Sequence, residues 1–422
     1  MLIIVALLWS ILLFLSWPQI RHFEPAGVVS MLWLVLIGVC LVLSHFMALS
    51  YFGIAYILIV LIAFSVGSSC AKPKSHTIKK RNFAFNRDRA FIIVCIVTAA
   101  AFIKPIYDLT SQGFNVLLMR EIEEVAAMSN EMSVQRYSDT VETSNATQLL
   151  GVFTVVAPLL AGFCLPYFRG WKRAVCFMSL VSSIFGALTQ GAKMGLLMSA
   201  FVMASGYLVS CCSMGKRLDL AKANILKGGM AVFALFAILI VSMVFRVGRV
   251  DGDTIMIALE KFVSYSVGSV PCFDIWFIKN PVSLDTHTFG AKTFWGVSNF
   301  LGVLNRDSGI YQEMVYFGQN GLEGSSNVFT IFRVLIEDFG YITPLLLAFL
   351  LGYGIKRVYV ALPVQGKGRS VYQVLLMAIY AYIFWSFVTS FFAYTTYIVT
   401  LVFMWMILYF VQRPRKKKIV TA

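Results

Sequence analysis

Asn327-Val-Phe-Thr-Ile-Phe-Arg-Val-Leu-Ile-Glu-Asp-Phe-Gly340 closes a polar, aromatic stretch that begins at Arg246, and the chain then runs directly into apolar sequence. Residues 246–340 hold ten acidic and seven basic side chains, whereas the long segments on either side carry almost none. Where charge is excluded from segment after segment, those segments lie in hydrocarbon, and the charged stretch lies outside it. Any chemistry is therefore expected in this stretch.

Composition supports that division. Of 422 residues 59% are hydrophobic and only 13% charged, with a mean hydropathy of +0.80, far from the balance of a soluble globule. Apolar runs long enough to cross roughly 30 Å of hydrocarbon fall at 2–18, 28–48, 51–69, 90–108, 148–167, 174–190, 194–213, 229–246, 334–354, 371–388 and 393–411. The fold class is an all-α polytopic membrane protein with about eleven transmembrane helices and a long late outer loop containing short helices. The chain divides into a scaffold (1–109), a first outer loop (110–147), helices five to eight (148–245), a large outer loop (246–333), helices nine to eleven (334–412) and a basic tail (413–422).

A net charge of +15 would suggest nucleic acid for a soluble protein. Here 24 of 35 Lys and Arg fall in loops on one side of the predicted bundle, and 17 of 20 acids fall in loops on the other. The positive-inside rule then places the C-terminus in the cytoplasm and the N-terminus outside, with the lipid bilayer and not nucleic acid as the partner. The first apolar run lacks a basic leader and precedes Arg21, which predicts a retained span. The eight cysteines form no CxxC pair and give neither a disulfide framework nor a zinc site.

Several outer residues carry candidate chemistry. Lys193, at the corner after the sixth run, and Arg246 and Arg249, where the eighth run ends, sit on the side that the charge rule keeps poor in cations. Lys193 reads either as a snorkelling helix-start lysine or as a cation aimed at phosphate. The guanidinium fork of the two arginines suits phosphate. Asp251-Gly-Asp253 fits a short metal-binding pattern, but such a pair more often forms a turn, and no metal is expected. The aromatics of the loop, Tyr265 and Trp295 among them, read as an interfacial belt or as platforms for sugar rings. His287 is the one histidine of the long outer loops and the one side chain there that normally titrates near neutrality. Residues 120–142 suit a short amphipathic surface helix over the bundle. In the closing stretch, a helical period puts Asn327, Thr330, Glu337 and Asp338 on one face with Arg333 on its flank, either as a site or as an ordering polar network.

The order Arg246-Val-Gly, Tyr265-Ser-Val-Gly, Thr288-Phe-Gly290, Asn327-Val-Phe-Thr330 and Asp338-Phe-Gly340, with a long late outer loop in a helical bundle, resembles the bacterial oligosaccharide repeat-unit polymerases of the Wzy, or O-antigen polymerase, type. The second half of the chain carries this resemblance; the first half shares only topology. At the corner after the sixth run this chain has Lys193 where such proteins often have arginine. The resemblance implies a GT-C-like bundle in the bacterial inner membrane, N-terminus periplasmic, working without a cofactor. Its implied reaction transfers a growing glycan from undecaprenyl pyrophosphate onto a lipid-linked repeat unit, with a chain-length regulator as a further partner. In that scheme Arg246, Arg249, Arg333 and Lys193 hold the pyrophosphate, while Asn327, Thr330, Tyr265 and Trp295 hold sugar. Asp338, Glu337 or His287 supplies the base. A flippase for the same lipid-linked sugars and an O-antigen ligase are the alternatives; flippases place their cations inside the spans.

Overall fold

A computed structural model describes residues 1–71, 83–114, 121–137, 145–190, 193–216, 218, 222–247, 252, 261–262, 264–280, 287–304, 311–364 and 368–414. Helices α1 (Leu2–Arg21), α2 (Pro25–Val42), α3 (Phe52–Cys70), α4 (Arg87–Ser111), α6 (Asn145–Cys164), α7 (Trp171–Gln190), α8 (Lys193–Ser213) and α9 (Lys222–Val247) occupy the first eight apolar runs, with α5 (Ile122–Tyr137) between α4 and α6. Three further long helices, α13 (Thr343–Ala361), α14 (Arg369–Trp385) and α15 (Thr395–Val411), follow the late loop. Among the described residues nine helices are long and apolar enough to cross a membrane, and α15 is a shorter apolar helix of 17 residues. The chain is an all-α, multi-pass membrane protein.

Lipid tails give helices no hydrophobic reason to associate, so close backbone contact and polar bonds hold the bundle together. The crossing of α3 with α13 rests on two glycines: a Cβ on Gly67 would lie 2.0 Å from the Phe349 carbonyl oxygen, and one on Gly352 would lie 2.1 Å from that of Phe64. Gly162 and Gly206 bring α6 and α8 together in the same way. Buried polar bonds pin the helices further. The Gln19 amide reaches the Ser65 carbonyl and Ser69, and Trp33 Nε1 donates to Ser386 Oγ at 3.0 Å. At the end away from the late loop, Lys356 on α13 pairs at 2.5 Å with Glu24, the residue before α2.

The late loop folds as a cap. It contributes α10 (Ser269–Lys279), the short α11 (Trp295–Phe300), a hairpin of β2 (Val315–Tyr316) with β3 (Ser325–Ser326), and α12 (Ile331–Phe339). The other two strands, β1 (Phe83–Phe85) and β4 (Gln412–Pro414), pair antiparallel and join the start of α4 to the end of α15.

Two expectations change. The run at 334–354 is not one helix: Gly340, at φ 75, ends α12, and α13 starts afresh at Thr343. Thr330 stands at the N-cap of α12 and Asn327 precedes it, so the polar face drawn through Asn327, Thr330, Glu337 and Asp338 does not exist as a helical stripe. Helix α5 lies in the stretch read as an amphipathic surface helix: Glu123, Glu124 and Glu131 are exposed, while Ala126, Met128, Ser129, Met132 and Ser133 are buried. A smaller change concerns α2 and α3, which are joined by a structured turn with a 3-10 segment at Ser44–Phe46.

Candidate functional site

Two buried aspartates fasten the cap. Asp274 on α10 accepts from the Ser50, Tyr51 and Gly53 amides at 2.6, 2.9 and 2.8 Å, placing a carboxylate at the positive end of α3. Asp338, fully buried near the end of α12, accepts from the Thr288 hydroxyl, the Lys292 amide at 3.1 Å, and the Thr293 amide and hydroxyl at 2.7 and 2.5 Å. The backbone adds Thr288 N to Glu337 O and Phe289 N to Asp338 O. Thr288-Phe-Gly290 and Asp338-Phe-Gly340, two separate motifs in the sequence, are thus one contact. A carboxylate with both oxygens occupied and no exposed surface has no room for an acceptor hydroxyl. The geometry makes Asp338 a clasp, in place of the base the sequence suggested.

Beside it lies a closed ion network. Arg333 pairs with Glu337 at 2.9 Å and Glu313 at 3.4 Å, and Lys292 pairs with the other Glu337 oxygen at 2.9 Å. The guanidinium rests between rings, 3.8 Å from the Tyr311 centroid, 4.1 Å from Phe329 and 4.9 Å from Trp276. Tyr311 donates to Glu337 at 2.8 Å. Burial pushes the Glu337 carboxyl up, but Arg333 and Lys292 outweigh it and hold the group below its ordinary value. Burial, reinforced by the Glu337 charge, drives the Tyr311 phenol well above its own. Arg333 and Glu337, expected at phosphate and at the reacting hydroxyl, spend their charge on each other.

A different set of predicted residues converges on open space. A cavity of about 290 Å³ is lined by Lys193 at the start of α8, Arg246 at the end of α9, Lys261 and Tyr265 from the cap, and Asn130 from α5. Lys193 Nζ lies 5.1 Å from the Tyr265 ring centroid, and Asn130 Nδ2 donates to the Arg246 carbonyl at 2.7 Å. Arg246, Lys261 and Tyr265 also line an adjoining groove of about 760 Å³ whose far wall is the β2–β3 hairpin, including Tyr316, Glu323 and Asn327. This volume is in the range of small-ligand sites. Three basic side chains from three segments line the same space.

Lys193, Arg246, Tyr265 and Asn327 are therefore brought together, whereas Arg333, Glu337, Asp338, Thr330, His287 and Trp295 do not line either cavity. His287 packs over Gly340, where an added Cβ would lie 3.0 Å from its ring. Trp295 is buried on α11. Arg249, Asp251 and Asp253 lie outside the described residues. Sequence reasoning passed over Lys261, Asn130 and Glu323. Lys261 carried the signal that singled out Arg246, a cation on the cation-poor side; the other two become visible only in three dimensions. Compared with protein-family models, curated proteins and solved structures, the chain finds no match in any of the three.

Proposed function

We propose that the chain is a glycan polymerase that transfers a growing saccharide from an undecaprenyl-pyrophosphate carrier to a lipid-linked repeat unit, with the groove as its site. The observation that carries the reading is the convergence of Lys193, Arg246 and Lys261 on one cavity at the ends of apolar helices, opening into a groove walled by Tyr265, Tyr316 and Asn327. A carrier lipid presents its pyrophosphate at the level where such helices end. Cations fixed there stabilise the charge that develops on the departing pyrophosphate, and the tyrosines offer faces to sugar rings. Pyrophosphate leaves readily, so the reaction needs a base and no general acid. Arg333, Glu337 and Asp338 hold the cap in shape.

On this reading the protein has its cap and groove in the periplasm and its C-terminus in the cytoplasm, as eleven spans and the charge asymmetry require. The cations line a cavity where helix ends meet the cap, which favours a transferase over a flippase. Purified protein in vesicles with only a lipid-linked repeat unit is expected to make polymer without nucleotide sugar or metal. Well-folded protein that makes none, yet moves the lipid-linked unit across the bilayer, would establish the flippase instead.

A further inference from the structure

We infer that Glu323, on the β2–β3 hairpin, is the proton acceptor of this transfer, an assignment that rests on the polymerase reading. Among the described residues that line the groove it is the one carboxylate, and it shares that lining with Arg246 and Lys261. The carboxylates favoured by sequence are consumed elsewhere: Asp338 by four hydrogen bonds, Glu337 by Arg333, Lys292 and Tyr311. Glu323 is exposed, and among the described residues no ion pair engages it.

The hairpin fixes the backbone from which that carboxylate reaches the groove. Phe317 is fully buried and anchors the turn. Phe317 N and Gly318 N both donate to the Gly324 carbonyl, at 2.9 and 3.0 Å. The fold tolerates no side chain at the two glycines: a Cβ on Gly318 would lie 2.1 Å from the Leu322 oxygen, and one on Gly324 would lie 2.5 Å from the Phe317 ring. On its outer side the turn is bolted to residues 44–48. Gln319 Nε2 reaches the His45 and Met47 carbonyls at 3.2 and 3.0 Å, and Ala48 N donates to the Phe317 carbonyl at 2.8 Å. A loop secured on its back fixes the point from which its front side chain reaches out.

The step balances as a single displacement. The acceptor hydroxyl gives its proton to a Glu323 carboxylate oxygen while its own oxygen bonds to the anomeric carbon of the donor sugar. The bond from that carbon to the pyrophosphate oxygen breaks, and its electron pair leaves with the pyrophosphate, where Lys193, Arg246 and Lys261 receive the charge. Glu323 then releases the proton to water.

The test uses full-length protein in vesicles with a lipid-linked repeat unit, and undecaprenyl pyrophosphate alone as the binding probe. Glu323→Gln should lower the polymerisation rate by about a hundredfold or more, with probe binding and thermal unfolding unchanged, while Glu323→Asp keeps part of the rate. Glu323→His should polymerise with its acid limb moved upward, because imidazole takes up a proton near pH 6.5. Polymerisation by Glu323→Gln within threefold of wild type overturns the assignment, as does a loss explained wholly by weaker probe binding. Wild-type protein that makes no polymer sinks the polymerase reading and this one with it, a result distinct from failure of the variants alone.

Discussion

Two clusters of charge lie in the same cap region and have opposite relations to their surroundings. Around Arg333 every charge meets its complement within the protein: guanidinium against two carboxylates and three rings, Lys292 against the same Glu337, and Tyr311 closing the set. Around Lys193, Arg246 and Lys261 the cations share the wall of an open volume. Charge enclosed in a packed network acts on stability and shape, whereas basic side chains that line a cavity can also act on what enters it. Residue type alone separates nothing here, since both clusters would serve a phosphate-binding motif equally well.

That contrast is sharpest where a side chain is removed. Arg333→Ala leaves Glu337 buried with a single cation and opens a void between Trp276, Tyr311 and Phe329. Breaking a buried ion pair costs about 3–5 kcal/mol, so the variant should unfold at a distinctly lower temperature in detergent. Activity lost with an unchanged melting curve would move Arg333 to the substrate side of the comparison. Asp338→Asn comes next, because an amide NH2 would face donors where a carboxylate accepted four bonds. Each buried group left unpaired costs about 1–3 kcal/mol; the expected sign is faster amide exchange and proteolysis across residues 288–294. A variant protected there like wild type, yet inactive, would return Asp338 to the chemistry. The smallest effect on stability is expected in the groove. Lys261→Ala and Lys193→Gln should melt within about 0.5 kcal/mol of wild type while binding undecaprenyl pyrophosphate at least tenfold more weakly, and a marked drop in melting would make the groove a second structural network.

The helices were legible because hydropathy is a local property: a run such as 194–213 announces itself whatever surrounds it. The break at Gly340 was not, since Ile336, Phe339, Tyr341 and Ile342 keep the run apolar, and only the positive φ of Gly340 separates a cap helix from a bundle helix. The stripe that joined Asn327 to Asp338 assumed helix where the chain is extended. Lys193 and Arg246 could be picked out because each violates a rule of sidedness, and a violated rule marks a residue without reference to its neighbours. Glu323 broke no rule. Its place opposite the cations comes from a hairpin whose reversal depends on Gly318 and Gly324 meeting Phe317, Leu322 and one another, and from a turn at residues 44–48 that lies far away in sequence.

The glycine-to-backbone crossing of α3 with α13 bears on how the protein is made. Helix α3 leaves the ribosome long before α13 exists, so its Gly67 face stays without its partner until then, and this glycine crossing is among the last that can form. The Gln19 bonds to Ser65 and Ser69 can already join α1 to α3, but the Gly67 face of α3 must wait until translation has passed the cap. A chain halted within the cap would leave α3 without its partner and Asp274 already seated at its end, a half-built product recognisable to membrane quality control by an exposed seam of small residues.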